Sequence, residues 1–471
     1  MSNEEEVHLL VLIHGMWGST ANLEEMHRII RERFTSGAIY NSCSLEIHVA
    51  QTNQGKSTYD GIDWGSERIV EEVRDKIREI EDGGRRKVSR FSVTGYSLGG
   101  LLARYLIGAL HSQRFFEKAK PVNFTTFATP HFGLPAGAQS FREKLVAYLG
   151  PILLSRTGEH FFGMDKWLDK GRPLLDIMAD ENYVFYQALL LFPHVHFYAN
   201  ALKDLTVPFL TAALETSDPF MFHETNGIQI EFDEKYEPIV KSFQLPSSVP
   251  VKKSPPFGSK EYMQNIRKKF PRLPLPPPLQ FRFPGNVIMT LLFPILFPLL
   301  LSFVIFRLSF DMKASRGRIR LLENDPAKAN RLVNALRSIE KGMDDVVADI
   351  MDDPGLPSSS PSPSESSTPS LHLTPTKAPT QGHTDIPTSS TLMKSSLQST
   401  PSELLYEPKL TPLQHKIIDR LNRLPQLQKH YAFIDKLMNT HATIISRDRK
   451  RFAFHVRGEG VLRHWADGFE I

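Results

Sequence analysis

Residues 90–110 read RFSVTGYSLGGLLARYLIGAL, and within them Gly95-Tyr96-Ser97-Leu98-Gly99 fits the pattern G-x-S-x-G. Five residues recur by chance, so the setting decides. A β-type apolar run, RFSVT, precedes the serine and an apolar helix-type run, LGGLLARYLIGAL, follows it. That is the context of a sharp strand-to-helix turn that lifts a serine Oγ clear of a sheet. The turn explains both glycines, because a Cβ at either position would collide with neighbouring backbone. A helix that starts at Leu98 also points its first N–H groups at the place where an oxyanion forms.

Outward from this stretch, β-type runs and amphipathic helical segments alternate from Val7 to about Thr216: VHLLVLIHG, EEMHRIIRERF, LEIHVA, SERIVEEVRDKIREI and NFTTFATP. Alternation of this kind predicts an α/β fold with a mostly parallel central sheet. Residues 141–192 break it with clustered apolar residues (Leu145, Leu149, Ile152, Leu153, Leu154, Phe161, Phe162) and read as a helical cap over the core. His14-Gly15-Met16-Trp17-Gly18 follows the strand-like LLVLI. In an α/β-hydrolase, a loop at that place donates the second oxyanion N–H, which makes Met16 and Leu98 the expected pair. The His14 side chain is expected to orient this loop by a hydrogen bond, since the catalytic base comes late in such chains.

LIHGMWGS, GYSLGGLLARY, FATPHFG and NALKDLTVPF occur in this order. Together they resemble the serine esterases of the α/β-hydrolase superfamily, nearest to the fungal lipid-droplet phospholipases, over residues 7–217 with a weaker echo at 429–446. The fold's order is Ser, then Asp or Glu, then His. Asp204, between HVHFYANAL and LTVPF, lies in the motif where the resemblance places the acid, with Asp218 and Asp180 in reserve. His441, in Asn439-Thr440-His441-Ala442-Thr443, resembles the family's late histidine, with His464 and His455 as alternatives. His194 and His196 share one face of a strand and read as packing residues; His131 stands in the wrong order for a base and reads as structural. The expected site is Ser97, Asp204 and His441 with the N–H groups of Met16 and Leu98. This chemistry calls for no metal or organic cofactor.

The chain has 471 residues, 41% of them hydrophobic, and its 56 Lys+Arg against 52 Asp+Glu give +4, too little to suggest nucleic-acid binding. Residues 251–320 hold thirteen Lys/Arg against Glu261 and Asp311, a local +11 that leaves −7 for the rest. One cysteine, Cys43, excludes an internal disulfide, and the acidic start MSNEEEV lacks a secretory pattern. A protein that is not secreted is expected. Residues 218–285 read as a Pro-rich basic linker, and 287–306 contain no charge and include Pro294 and Pro298. Twenty such residues match a bilayer core in length. One crossing would put Ser97 and His441 on opposite sides of the membrane, so residues 286–310 read as a hairpin or a shallow monotopic insertion. Arg267, Lys268, Lys269 and Arg282 before it, and Arg307, Lys313, Arg316 and Arg318 after it, suit anionic headgroups. Residues 311–353 read as a basic and amphipathic helical segment. Residues 354–402 are Ser, Thr or Pro at 31 of 49 positions and read as disordered, a docking tract for a regulatory partner. Residues 403–471 regain periodicity and are expected to complete the fold.

These readings lead to a serine lipid esterase acting on glycerophospholipids at a lipid-droplet monolayer or the cytosolic face of the endoplasmic reticulum membrane. A neutral acylglycerol lipase with the same residues and a catalytically silent membrane tether are the competing expectations.

Overall fold

The computed structural model describes residues 4–34, 39–40, 43–134, 148–167, 171–247, 285–324 and 404–471. The tract 354–402, the 325–353 part of the helical segment and the 248–284 part of the linker lie outside the described residues.

The elements that position the site are β1 (Glu5–Ile13), α1 (Glu24–Arg33), β2 (Ile39–Tyr40), β3 (Cys43–Val49), α2 (Gly61–Glu81), β4 (Arg86–Tyr96), α3 (Leu98–Ser112) and β5 (Lys120–Phe127). After these come α4 (Ser155–Phe161), α5 (Leu174–Met178), α6 (Val184–Leu190), β6 (His194–Asn200), α7 (Phe209–Ala213), β7 (Gln229–Phe232) and β8 (Val240–Gln244). A long helix α8 (Gly285–Asn324) precedes α9 (Pro412–Leu421), β9 (Leu427–Ala432) and α10 (Glu459–Asp467). The seven-stranded sheet runs β2-β3-β1-β4-β5-β6-β9. Every pairing is parallel except β2 with β3. The fold is therefore the expected α/β-hydrolase arrangement with a mostly parallel sheet.

Seven consecutive residues of β1, Val7–Ile13, are buried, as a central strand covered on both faces requires. On one face α2, α3 and α6 bury Ile69, Val73, Leu106 and Phe185 in the larger core. On the other, α1 and α10 bury Met26, Ile30, Leu462 and Trp465. The chain leaves β1 toward β3 on one side, then returns past it to β4 on the other. This reversal opens a crevice at the C-terminal ends of β1 and β4, where open parallel sheets place ligands. The last segment closes the sheet: β9 pairs with β6 from Val195↔Leu427 to Asn200↔Ala432, joining residues more than 200 apart in sequence.

Three expectations are corrected. The linker of 218–285 begins as ordered chain, because β7 and β8 form an antiparallel hairpin that bridges to β9 through Ile239↔Ala432. The 141–192 segment is not all cap: Leu174, Leu175, Val184 and Phe185 lie in the main core, so α5 and α6 cover the sheet's flank. No hairpin turn interrupts 286–310, since α8 continues through Pro294 and Pro298. Two prolines four residues apart remove hydrogen-bond donors along one line of the helix and leave the other lines intact. Several α8 side chains between 285 and 304 lie outside the description. Over the described residues no helix is long and apolar enough to cross a membrane.

Candidate active site

Ser97 stands between β4 and α3 with φ 56° and ψ −125°. That conformation costs a residue with a side chain on the order of 1–3 kcal/mol and persists only where the surroundings enforce it. They do so here through backbone bonds: Ser97 N–H donates to Phe127 O at 2.8 Å, while its carbonyl accepts from Gly100 N–H at 3.1 Å and from Thr129 Oγ1 at 3.0 Å. Gly99 lets α3 start close to β1, because a Cβ there would stand 2.2 Å from Ile13 O. A Cβ on Gly15 would meet Ser97 Cβ at 2.7 Å, which brings the loop after β1 against the serine.

The three side chains expected from sequence converge. His441 Nε2 is 3.1 Å from Ser97 Oγ, and His441 Nδ1 is 2.9 Å from Asp204 Oδ2. A carboxylate only accepts, so the Nδ1 position carries the hydrogen and Nε2 is the acceptor facing the serine hydroxyl. All three residues are less than a tenth exposed. Asp204 Oδ1 also accepts from the N–H groups of Thr206 (3.0 Å) and Val207 (2.8 Å), and Oδ2 accepts from Asn200 Nδ2 (2.8 Å). Four donors, the imidazole included, fix its orientation.

The histidine loop is fastened to the acid loop by bonds that sequence reading missed. Asn439 Oδ1 accepts from Leu205 N–H and His441 N–H, both at 3.2 Å, and Thr440 N–H donates to Lys203 O at 3.1 Å. Tyr96, the variable residue before the serine, donates to His441 O at 3.1 Å and lies 5.1 Å from the imidazole, ring to ring. Burial pushes the Tyr96 phenol upward, so it remains a neutral donor. The signal for Asn439 and Asn200 was their place beside His441 and before Asp204, where short amides lace loops together.

In the loop after β1, Gly15 O accepts from Gly18 N–H at 3.1 Å and contacts His14 Nδ1 at 3.0 Å. His14 therefore plays the orienting part expected of it. In a trans peptide the N–H points opposite to the C=O, so holding Gly15 O on one side turns Met16 N–H to the other. Among the described residues, neither Met16 N–H nor Leu98 N–H has a hydrogen-bond partner. Trp17, Leu205 and Met438, which adjoin Met16, Asp204 and Asn439 in sequence, are 57, 73 and 72% exposed and give the site apolar neighbours.

The reserves serve elsewhere. Asp218 caps Phe220 and Met221, and Asp180 pairs with Arg172 and Arg420. His464 meets Tyr198 OH, His455 accepts from Asp448 N–H, His196 contacts His430, and His131 contacts Thr126 Oγ1. His194 starts β6, remote from the strand ends that bear the site. Among the described residues, no group of three His, Cys, Asp or Glu is arranged to hold a metal ion.

The chain is similar to known proteins over about half of its length. It shares 30% identity with the putative lipase C4A8.10 of Schizosaccharomyces pombe, a match covering 47% of this chain and 28% of that one. Identity is 24% with the putative lipase ROG1 of Saccharomyces cerevisiae, over 52% of this chain and 33% of that one. The matches thus span about a third of the relatives' length or less. Phospholipase PlaB from Legionella pneumophila, in complex with thio-NAD, aligns over 43% of this chain and 40% of its own at 16% identity and a TM-score of 0.27. The family model described as putative serine esterase (DUF676) matches residues 3–218 of this chain.

Proposed function

We propose that this protein is a serine hydrolase that cleaves acyl esters of glycerophospholipids at the surface of a lipid droplet or the cytosolic face of the endoplasmic reticulum membrane. The observation that carries the reaction class is the Ser97–His441–Asp204 relay beside two unpartnered N–H groups. In the forward step Ser97 Oγ attacks the ester carbonyl carbon while His441 Nε2 takes the hydroxyl proton. Asp204 stabilises the imidazolium and keeps its proton at Nδ1. The oxyanion accepts from Met16 and Leu98 N–H, each such donor being worth about 10²–10³ in kcat. Collapse expels the lysolipid alkoxide, which receives the proton from His441. Water, activated by the same imidazole, then releases the fatty acid and restores Ser97.

Support for a lipid surface comes from α8. Leu292, Leu296, Leu299, Phe303, Phe306 and Phe310 recur at three- and four-residue intervals and stand exposed. A row of that size left in water marks an interaction surface, and Lys313 and Arg316 beyond it suit anionic headgroups. Trp17, Leu205 and Met438 suit an acyl chain at the mouth of the site. Incubation of purified protein with phosphatidylcholine, lysophosphatidylcholine and triacylglycerol dispersions tests the reading, with fatty-acid release as the measurement. The expected result is release from the phospholipids. Release from triacylglycerol alone would replace this reading with a neutral lipase, and none from any lipid or soluble ester would leave a silent tether.

A further inference from the structure

Helix α8 is tied to the loop that carries the Met16 donor. Its second half docks on the turn Gly55–Tyr59 and on Asp60, the residue before α2. Asp60 is fully buried and accepts from Ser315 Oγ (2.7 Å), Arg318 Nη2 (2.7 Å), Arg318 Nε (3.2 Å) and Arg68 Nη1 (3.2 Å). Arg318 also donates to Lys56 O at 2.8 Å, Lys56 pairs with Asp311 at 2.8 Å, and Ile319 is buried beside them. Ser315, itself fully buried, touches Ser155 Oγ at 3.2 Å.

The opposite side of the same turn holds the oxyanion loop. Thr58 Oγ1 accepts Trp17 N–H at 3.1 Å, Tyr59 OH accepts Trp17 Nε1–H at 2.7 Å, and Gly55 N–H donates to Gly18 O at 2.9 Å. These bonds restrain a strained residue, since Trp17 has φ 55°, a left-handed conformation costly for a bulky side chain. Trp17 directly follows Met16 in the loop, so releasing it loosens the segment whose Gly15–Met16 peptide aims the Met16 N–H at the oxyanion.

We infer that Asp60, Ser315 and Arg318 form a clamp through which α8 positions the oxyanion loop, making Ser315 and Arg318 positioning residues for acyl transfer. The inference rests on the hydrolase reading above and adds a second task to the helix: its apolar half meets lipid and its docked half maintains the site. A helix that served attachment alone would need no buried carboxylate at its dock, because removing that charge from water is costly unless it is fully paired.

The test uses the full-length protein with a soluble short-chain ester, so that lipid attachment does not enter. Arg318→Ala should lower kcat about tenfold and leave KM within about twofold, as loosening one oxyanion donor costs less than deleting it. The backbone amide of Trp17 should exchange its hydrogen about tenfold faster, reporting the released loop directly. Arg318→Lys should recover much of the rate, and Arg320→Ala, on the same helix and without an ion pair among the described residues, should keep all of it. Ser315→Ala, which removes one hydroxyl and no charge, gives a milder version should Arg318→Ala fold poorly, with a kcat fall of about threefold. An unchanged kcat in folded Arg318→Ala and Ser315→Ala proteins would overturn the clamp, as would a fall that merely tracks the unfolded fraction. A wild-type protein that neither hydrolyses the ester nor takes a fluorophosphonate overturns the hydrolase reading, and the clamp with it.

Discussion

From Gly285 to Phe306, α8 carries no charge and leaves Leu292, Leu296, Leu299, Phe303 and Phe306 in solvent; from Arg307 onward it is built as a protein interior is built. In that second half, Asp311, Ser315 and Ile319 recur every four residues and are buried, with Arg318 beside them, against a charge-paired turn. One helix thus has two surroundings. The first half lacks a partner in the described structure and needs an apolar one, whereas the second half already has its partner in Asp60 and Lys56. Such a change of partner within one element suits a helix that links a lipid surface to a folded body.

The largest expected effect separates the helix from the chemistry. Ser97→Ala should lower ester hydrolysis by about 10⁴-fold or more, and adding changes at His441 and Asp204 should cost little beyond that. Vesicle binding should be unchanged, because Ser97 lies in the sheet's crevice and not on α8; parallel loss of binding would break the comparison. The next effect belongs to the apolar half. Replacing Leu292, Leu296, Leu299 and Phe303 by Ser should weaken binding to anionic phospholipid vesicles about a hundredfold or more, since each buried apolar side chain contributes roughly 1.5–3 kcal/mol. Hydrolysis of a soluble ester should survive. If both activities vanish with the fold, these residues belong to a core and the two halves do not differ.

The smallest effect concerns the body alone. Burial raises the Glu67 carboxyl to about 7 despite the hydrogen bond from Tyr105 OH, whereas in the unfolded chain it ionises near its ordinary 4.5. Between these values the folded state holds a proton that the unfolded state has released, so stability falls as pH rises through this window. Glu67→Gln should therefore raise the unfolding free energy at pH 8 by on the order of 1 kcal/mol, read as a higher urea midpoint, and change it little at pH 4. Vesicle affinity should not follow. A midpoint gain at pH 4 equal to that at pH 8 would show that ionisation is not the cause.

Much of the fold was legible because its signals are local. The run LLVLI, the helix LGGLLARYLIGAL and the serine between strand and helix each declare their structure within a few residues, and the order Ser97, Asp204, His441 follows from the fold class. The hairpin of β7 and β8 went unread because Gln229–Phe232 and Val240–Gln244 are short, half exposed and set among charges and prolines. The docking of α8 was hidden for another reason. Asp311, Ser315 and Ile319 mark one buried face, but the partner at Asp60 lies more than 250 residues earlier, and no local periodicity reveals such a pairing. Trp17 was invisible in the same way, since its strain appears only in its backbone angle and its restraints lie about 40 residues on.

The most direct test of the central claim is mass spectrometry of the purified protein after treatment with a fluorophosphonate. A nucleophile activated by His441 and Asp204 predicts one covalent adduct, on the peptide that contains Ser97, in step with loss of phospholipid hydrolysis and absent from His441→Ala. An adduct on another serine, or full hydrolysis by protein whose Ser97 is modified, would contradict it.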